Sequence, residues 1–231
     1  MRFVHQLKYH FTLWQGFEIK NFSRYPFWNA MPLLAMRQIS DNRLDPYLER
    51  LTKIYSAMDR AYRSAANRYG FECRGCEDNC CRTRFYHYTY IEYLYILKGY
   101  DFIGADMRAK VGKRALKVVA EFKAADNKQI ALRQMCPLNF GGRCILYHHR
   151  PMICRLHGIP HEFQTPHHRV IYAPGCDAFN RDHGNKDYYK FDRTPFYVGM
   201  AQLEKELKQA LDINDKPRVT VAEMVVSYLQ L

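Results

Sequence analysis

The chain has 231 residues, is 48% hydrophobic and carries a formal net charge of +12. That is enough apolar material to bury a core without staples, and 18 tyrosines in a chain that is 15% aromatic exclude disorder over most of its length. The charge suits nucleic acid, an anionic membrane face or an acidic partner, but the basic residues are scattered rather than gathered into an arm, so the expected partner is an acidic protein and not nucleic acid.

Residues 1–40 are aromatic and basic and show no secretory pattern. Their apolar stretch at 25–36 is broken by Pro26 and Pro32 and falls well short of the ~20 residues a membrane span needs. No membrane span and a cytoplasmic location are therefore expected. In chain order, Asp45 as N-cap and Pro46 at the first helical position predict a helix start. Leu48, Leu51, Tyr55 and Met58 continue it at helical spacing, and Gly70 predicts its stop. Gly75, Asp78 and Asn79 make 73–81 a loop. Thr89 and Glu92 form a capping-box pattern ahead of Ile91, Leu94 and Ile96, with Gly99 as the expected end. A further helix is predicted over 107–124. Segment 136–154, with Pro137, Gly141, Gly142 and Pro151, reads as loop, and 155–193 as irregular with a strand at 170–172. Thr194 and Pro195 open a helix to about residue 211, and Thr220 with Glu223 boxes the start of a last one.

The expected fold class is mostly α: a single helical domain with two cysteine-rich irregular loop regions converging on a metal centre. The expected organisation is an aromatic and basic segment at 1–40, a metal-binding body at 41–193 and helices at 194–231 packed on it.

All eight cysteines lie between positions 73 and 176. Cys73, Cys76, Cys80 and Cys81 fall within nine residues, and Cys136, Cys144, Cys154 and Cys176 follow. In a reducing compartment such thiols are ligands rather than disulfides. Soft thiolates select zinc, copper(I) or iron–sulfur clusters, and four thiolates suit structural zinc or a 4Fe–4S cluster equally. Adjacent side chains in an extended segment face opposite ways, so Cys80 and Cys81 either serve two centres or straddle one. Cys73, Cys76, Cys81 and Cys154 are the expected ligands of the main centre, with Cys176 the weakest member.

Residues 73–81 and 136–155 resemble the CxxCxxCC zinc- or iron-chelating family, the YkgJ-type cysteine-cluster proteins. The matching residues are the first four cysteines, then Cys136-Pro137-Leu138, Gly142, Cys144, Tyr147, Arg150-Pro151 and Cys154-Arg155. Three residues, rather than the family's two, separate Cys76 from Cys80. The resemblance implies a bacterial cytoplasmic protein with a metal or iron–sulfur centre. Flagellin lysine methylases share the cluster, but no Gly-rich nucleotide-binding motif accompanies it here.

Arg150 and Arg155 flank Cys154 and are expected to bind the cofactor by donating toward thiolate sulfur. Histidines 148, 149, 157, 161, 167 and 168 crowd the same region, and are expected to support rather than ligate. Tyr147 is expected to pack beneath the loop, and Glu92 to act as a cap. The expected function is an iron–sulfur protein with a redox or enzyme-associated role, with a structural zinc module as the alternative and a methyltransferase as a further one.

Overall fold

The structure is a computed structural model that describes residues 41–73 and 80–229. The segment 1–40 and Cys76 lie outside the described residues, and residues 39–231 cluster into one compact unit.

Helix α1 (Asp41–Tyr69) is 29 residues long and starts ahead of the predicted Asp45 cap. Pro46 is its sixth residue, close enough to the N-terminus that one intrahelical bond is lost and no kink is required. Asp45 instead pairs with Lys98 at 2.9 Å. Leu44, Leu48, Leu51, Tyr55 and Met58 bury one face. The predicted stop holds: Gly70 takes φ +65°, Phe71 N–H donates to Ala66 O at 2.9 Å, and Gly70 N–H to Asn67 O at 3.0 Å. That pair of bonds is the Schellman motif, which a Cβ at Gly70 would disfavour.

Helix α2 (Tyr90–Asp101) buries nine of its twelve residues and leaves only a narrow accessible stripe of Tyr95, Lys98 and Asp101. It packs against α1 and against two helices from the end of the chain, α6 (Thr194–Ala210) and α7 (Val221–Leu229). The capping box predicted at Thr89 and Glu92 does not form. Thr89 precedes the helix, but its hydroxyl donates to Glu92 Oε2 at 2.7 Å rather than accepting from the backbone. The burial of the first turn of α2 draws Glu92 into the core, where it also accepts from the Tyr55 hydroxyl at 3.1 Å and Met152 N–H at 2.7 Å. The helix is capped instead from α6: Tyr90 and Ile91 N–H donate to the Glu204 carboxylate at 2.8 and 3.0 Å. Gly99 does not end α2. A Cβ there would stand 2.5 Å from the His149 ring, so the glycine serves close approach.

Helix α3 (Ala105–Asn127) spans the predicted 107–124 and packs on α7, where a Cβ at Gly112 would meet Leu229 at 2.8 Å. The second predicted box does form: Thr220 N–H donates to Glu223 Oε2 at 2.7 Å, and Glu223 N–H to Thr220 Oγ1 at 3.3 Å.

The expected loop regions hold small elements. Strands β1 (Asn139–Phe140) and β2 (Arg143–Cys144) form an antiparallel hairpin whose two-residue turn is Gly141-Gly142, both at positive φ. The short helix α4 (Met152–Leu156) packs on α1. The predicted strand at 170–172 is β4 (Val170–Ala173), paired with β3 (His161–Gln164), and α5 (Asp177–His183) follows. The protein is mostly α, and among the described residues no helix is long and apolar enough to cross a membrane.

Candidate metal centre

Four thiols are delivered by separate elements. Cys81 lies in a one-turn 3-10 helix (Cys80–Arg82), Cys136 precedes the β1–β2 hairpin, Cys144 is on β2 and Cys154 is in the middle of α4. The Cys136 N–H donates to Cys81 O at 2.7 Å, which ties the two cysteine regions together. Cys81, Cys136 and Cys144 all act electrostatically on Cys154. Desolvation at the sulfurs pushes Cys154 well above the usual thiol range, Cys136 up to about 12 and Cys144 up to about 11, although each residue keeps some accessible surface. Cys81 goes the other way, down to about 6. The Cys80 thiol donates to it, the Asn139 side chain adds a donor, and Arg150 adds charge.

Donors point at these sulfurs. Leu138 N–H lies against Cys136 and Leu146 N–H against Cys144, each two residues past its cysteine. The third is a side chain. Asn139 is 5% exposed, its Nδ2 makes no standard hydrogen bond, and the group it faces is the Cys81 sulfur. A neutral thiol is a poor acceptor for a buried amide, whereas a thiolate, which Cys81 is at neutral pH and which a metal ligand must be, is a good one. Four soft sulfurs with three such N–H groups fit a thiolate-held metal or cluster.

The two flanking arginines diverge. Arg150 acts on Cys81, Cys144 and Cys154. Its Nε donates to Tyr147 O at 2.8 Å, and its guanidinium sits 3.5 Å over the Tyr147 ring. Tyr147 is therefore an exposed cover for Arg150, not packing beneath the loop. Arg155 does not donate toward sulfur as expected. Buried, it stacks over Tyr55 and gives its nitrogens to Arg150 O, Asp59 Oδ2 and His148 O, because α4 turns it away from the thiols and onto α1.

The remaining described cysteines form a second group. Cys73, Cys80 and Cys176 all act on the Tyr62 phenol, whose hydroxyl donates to His157 O at 2.9 Å. Cys176 caps α5, accepting from Phe179 N–H at 3.4 Å. Cys80 faces both groups, feeling Cys154 as well as Cys73. Of the expected main set, Cys81 and Cys154 act on one another, Cys73 is linked through Cys80, whose thiol donates to Cys81, and Cys76 lies outside the described residues. Among the described residues all seven cysteines are free thiols, and no three Cys, His, Asp or Glu side chains are closed to the spacing of a bound ion. His149 and His157 are engaged with rings, those of Tyr95 and Phe85. No sequence pattern singled out Asn139, and its only signal is its position three residues past Cys136.

No protein-family model, curated protein or solved structure matches the chain.

Proposed function

We propose that this is a metal-binding protein whose principal centre is held by the thiolates of Cys81, Cys136, Cys144 and Cys154, and that the group it holds is an iron–sulfur cluster of the 4Fe–4S type in a redox or enzyme-associated role. The observation that carries the proposal is the gathering of the Cys81, Cys136, Cys144 and Cys154 sulfurs from separate elements, three of them desolvated and the fourth held anionic by its donors, the buried Asn139 Nδ2 among them. A cluster would supply one-electron chemistry there. The chain's own residues hold the sulfurs, offset negative charge through Arg150 and keep three N–H groups on them. The continuation of thiols from Cys81 through Cys80 to Cys73 and Cys176 supports a redox centre over an isolated structural ion.

Structural zinc is the second reading, favoured by the desolvation of Cys136 and Cys154, since closed four-thiolate sites are structural. The YkgJ-type resemblance agrees with either. Free thiols are in keeping with a reducing, cytoplasmic setting, and the +12 charge with an acidic protein partner. Metal analysis and electron paramagnetic resonance on anaerobically purified protein test the proposal. Brown protein with iron and sulfide supports it, colourless protein with stoichiometric zinc establishes the second reading, and metal-free protein that cannot be reconstituted rejects both.

A further inference from the structure

Beyond the thiols, a cavity of about 110 Å³ opens between β3, α6 and the segment leading to α5. It is lined by Arg193, His161, Ile159, Pro174, Cys176 and Tyr197 among others, and no acidic residue lines it. Arg193 is only 2% exposed. Its Nη2 donates to Leu156 O and its guanidinium meets the Tyr197 hydroxyl, but its Nε is buried with no hydrogen-bond partner. No carboxylate among the described residues pairs with it. Asp192, next in sequence, accepts from Thr194 N–H at 2.8 Å, and Glu162 is engaged by Lys190 and the Tyr188 hydroxyl, each at 3.1 Å. A buried guanidinium with an unspent N–H and no counter-charge is costly unless an anion joins it.

We propose that this cavity binds a small organic monocarboxylate, with its carboxylate on Arg193 and its apolar part against Ile159 and Pro174. The charge balance selects the class. Burial and the nearby Arg193 push His161 down to about 4, so at neutral pH this ring adds no charge to that of Arg193, which matches a monoanion better than a phosphate dianion. The planar guanidinium edge matches a carboxylate, and the aliphatic and proline walls suit carbon rather than water. The site does not depend on the metal proposed above.

Calorimetric titration of the full chain with propionate at constant ionic strength tests it, with inorganic phosphate and chloride as parallel arms. Propionate should bind saturably in the millimolar range, and phosphate at least ~10-fold more weakly. R193Q should weaken propionate at least ~10-fold. R193K keeps the charge without the Nε–H and should weaken it at least ~5-fold, which decides the matter if R193Q does not fold. R181Q, at an exposed arginine, should bind as the unaltered protein does. Absent propionate binding, equal binding by R193K, or phosphate binding as tight as propionate would each overturn the proposal. So would affinity that follows metal content rather than Arg193, because the guanidinium would then serve the Cys176 thiol group.

Discussion

Arg150 and Arg155 stand five positions apart around Cys154, and the structure gives them opposite work. Arg155 is a core residue, its charge shared among Asp59 and two carbonyls. Arg155→Gln should cost about 3 kcal/mol by stranding those acceptors, and leave the alkylation rate of Cys81 unchanged. Arg150→Gln should shift stability by less than about 0.5 kcal/mol, yet slow alkylation, since one of the charges favouring the Cys81 thiolate is gone. Parallel denaturation and thiol-labelling measurements check both. The cysteines divide similarly: Ser at position 81, 136, 144 or 154 should strip the principal centre, whereas Cys176→Ser should leave most of its metal. Full occupancy in Cys136→Ser and Cys144→Ser with loss in Cys176→Ser would refute that grouping. The sequence marks these residues as candidate soft-metal ligands, because thiol chemistry is local. It does not show which belong together, because that depends on how the segment around Cys81 meets the distant segments that carry Cys136, Cys144 and Cys154.

At the scale of elements, two Thr-x-x-Glu patterns look alike in sequence and behave differently. Thr220–Glu223 begins a helix with an accessible first turn, and both reciprocal bonds form. Thr89–Glu92 begins a helix whose first turn is buried, where Glu92 finds better donors inward and Glu204 takes over the backbone. The starts at Thr194 and after Thr220 and the Gly70 stop were legible because they rest on neighbouring residues, whereas the α1 start ahead of Asp45 and the α2 end beyond Gly99 were not. The Glu204 cap was not, because its partners lie more than a hundred positions away. Glu204→Gln should lower stability by roughly 1–2 kcal/mol, about what a lost N-cap and its charge are worth. Gly99→Ala should cost about 1–3 kcal/mol by forcing its methyl into His149. Urea denaturation of both variants is the measurement.

For the whole molecule, the buried histidines set an acid limit. The folded state holds His161 at about 4, below its ordinary 6.5, and burial also lowers His87 and His149. A base with a depressed folded pKa contributes its stability above the unfolded value and loses it as pH falls through the window between the two. Stability should therefore decline from about pH 6.5 to about pH 4. His161→Gln should flatten that decline by roughly 1–2 kcal/mol, less than the full shift because the ring is partly exposed. Removal of metal should lower Tm and loosen the segments around 80–82 and 136–156 before α1, since ligand binding adds to folding energy. An apo protein melting with the holo protein would refute this.

The Glu204 cap also has a consequence in time. The carboxylate that completes α2 is 114 positions downstream of the backbone it serves. At ribosomal speeds of about 5–20 residues per second, α2 emerges about 6–23 seconds before its cap exists. During that interval a largely apolar helix has neither its terminal charge nor the α6 and α7 walls that cover it. A nascent chain ending before residue 194 should therefore stay bound to the chaperones that collect exposed apolar segments, and release should await the last helices.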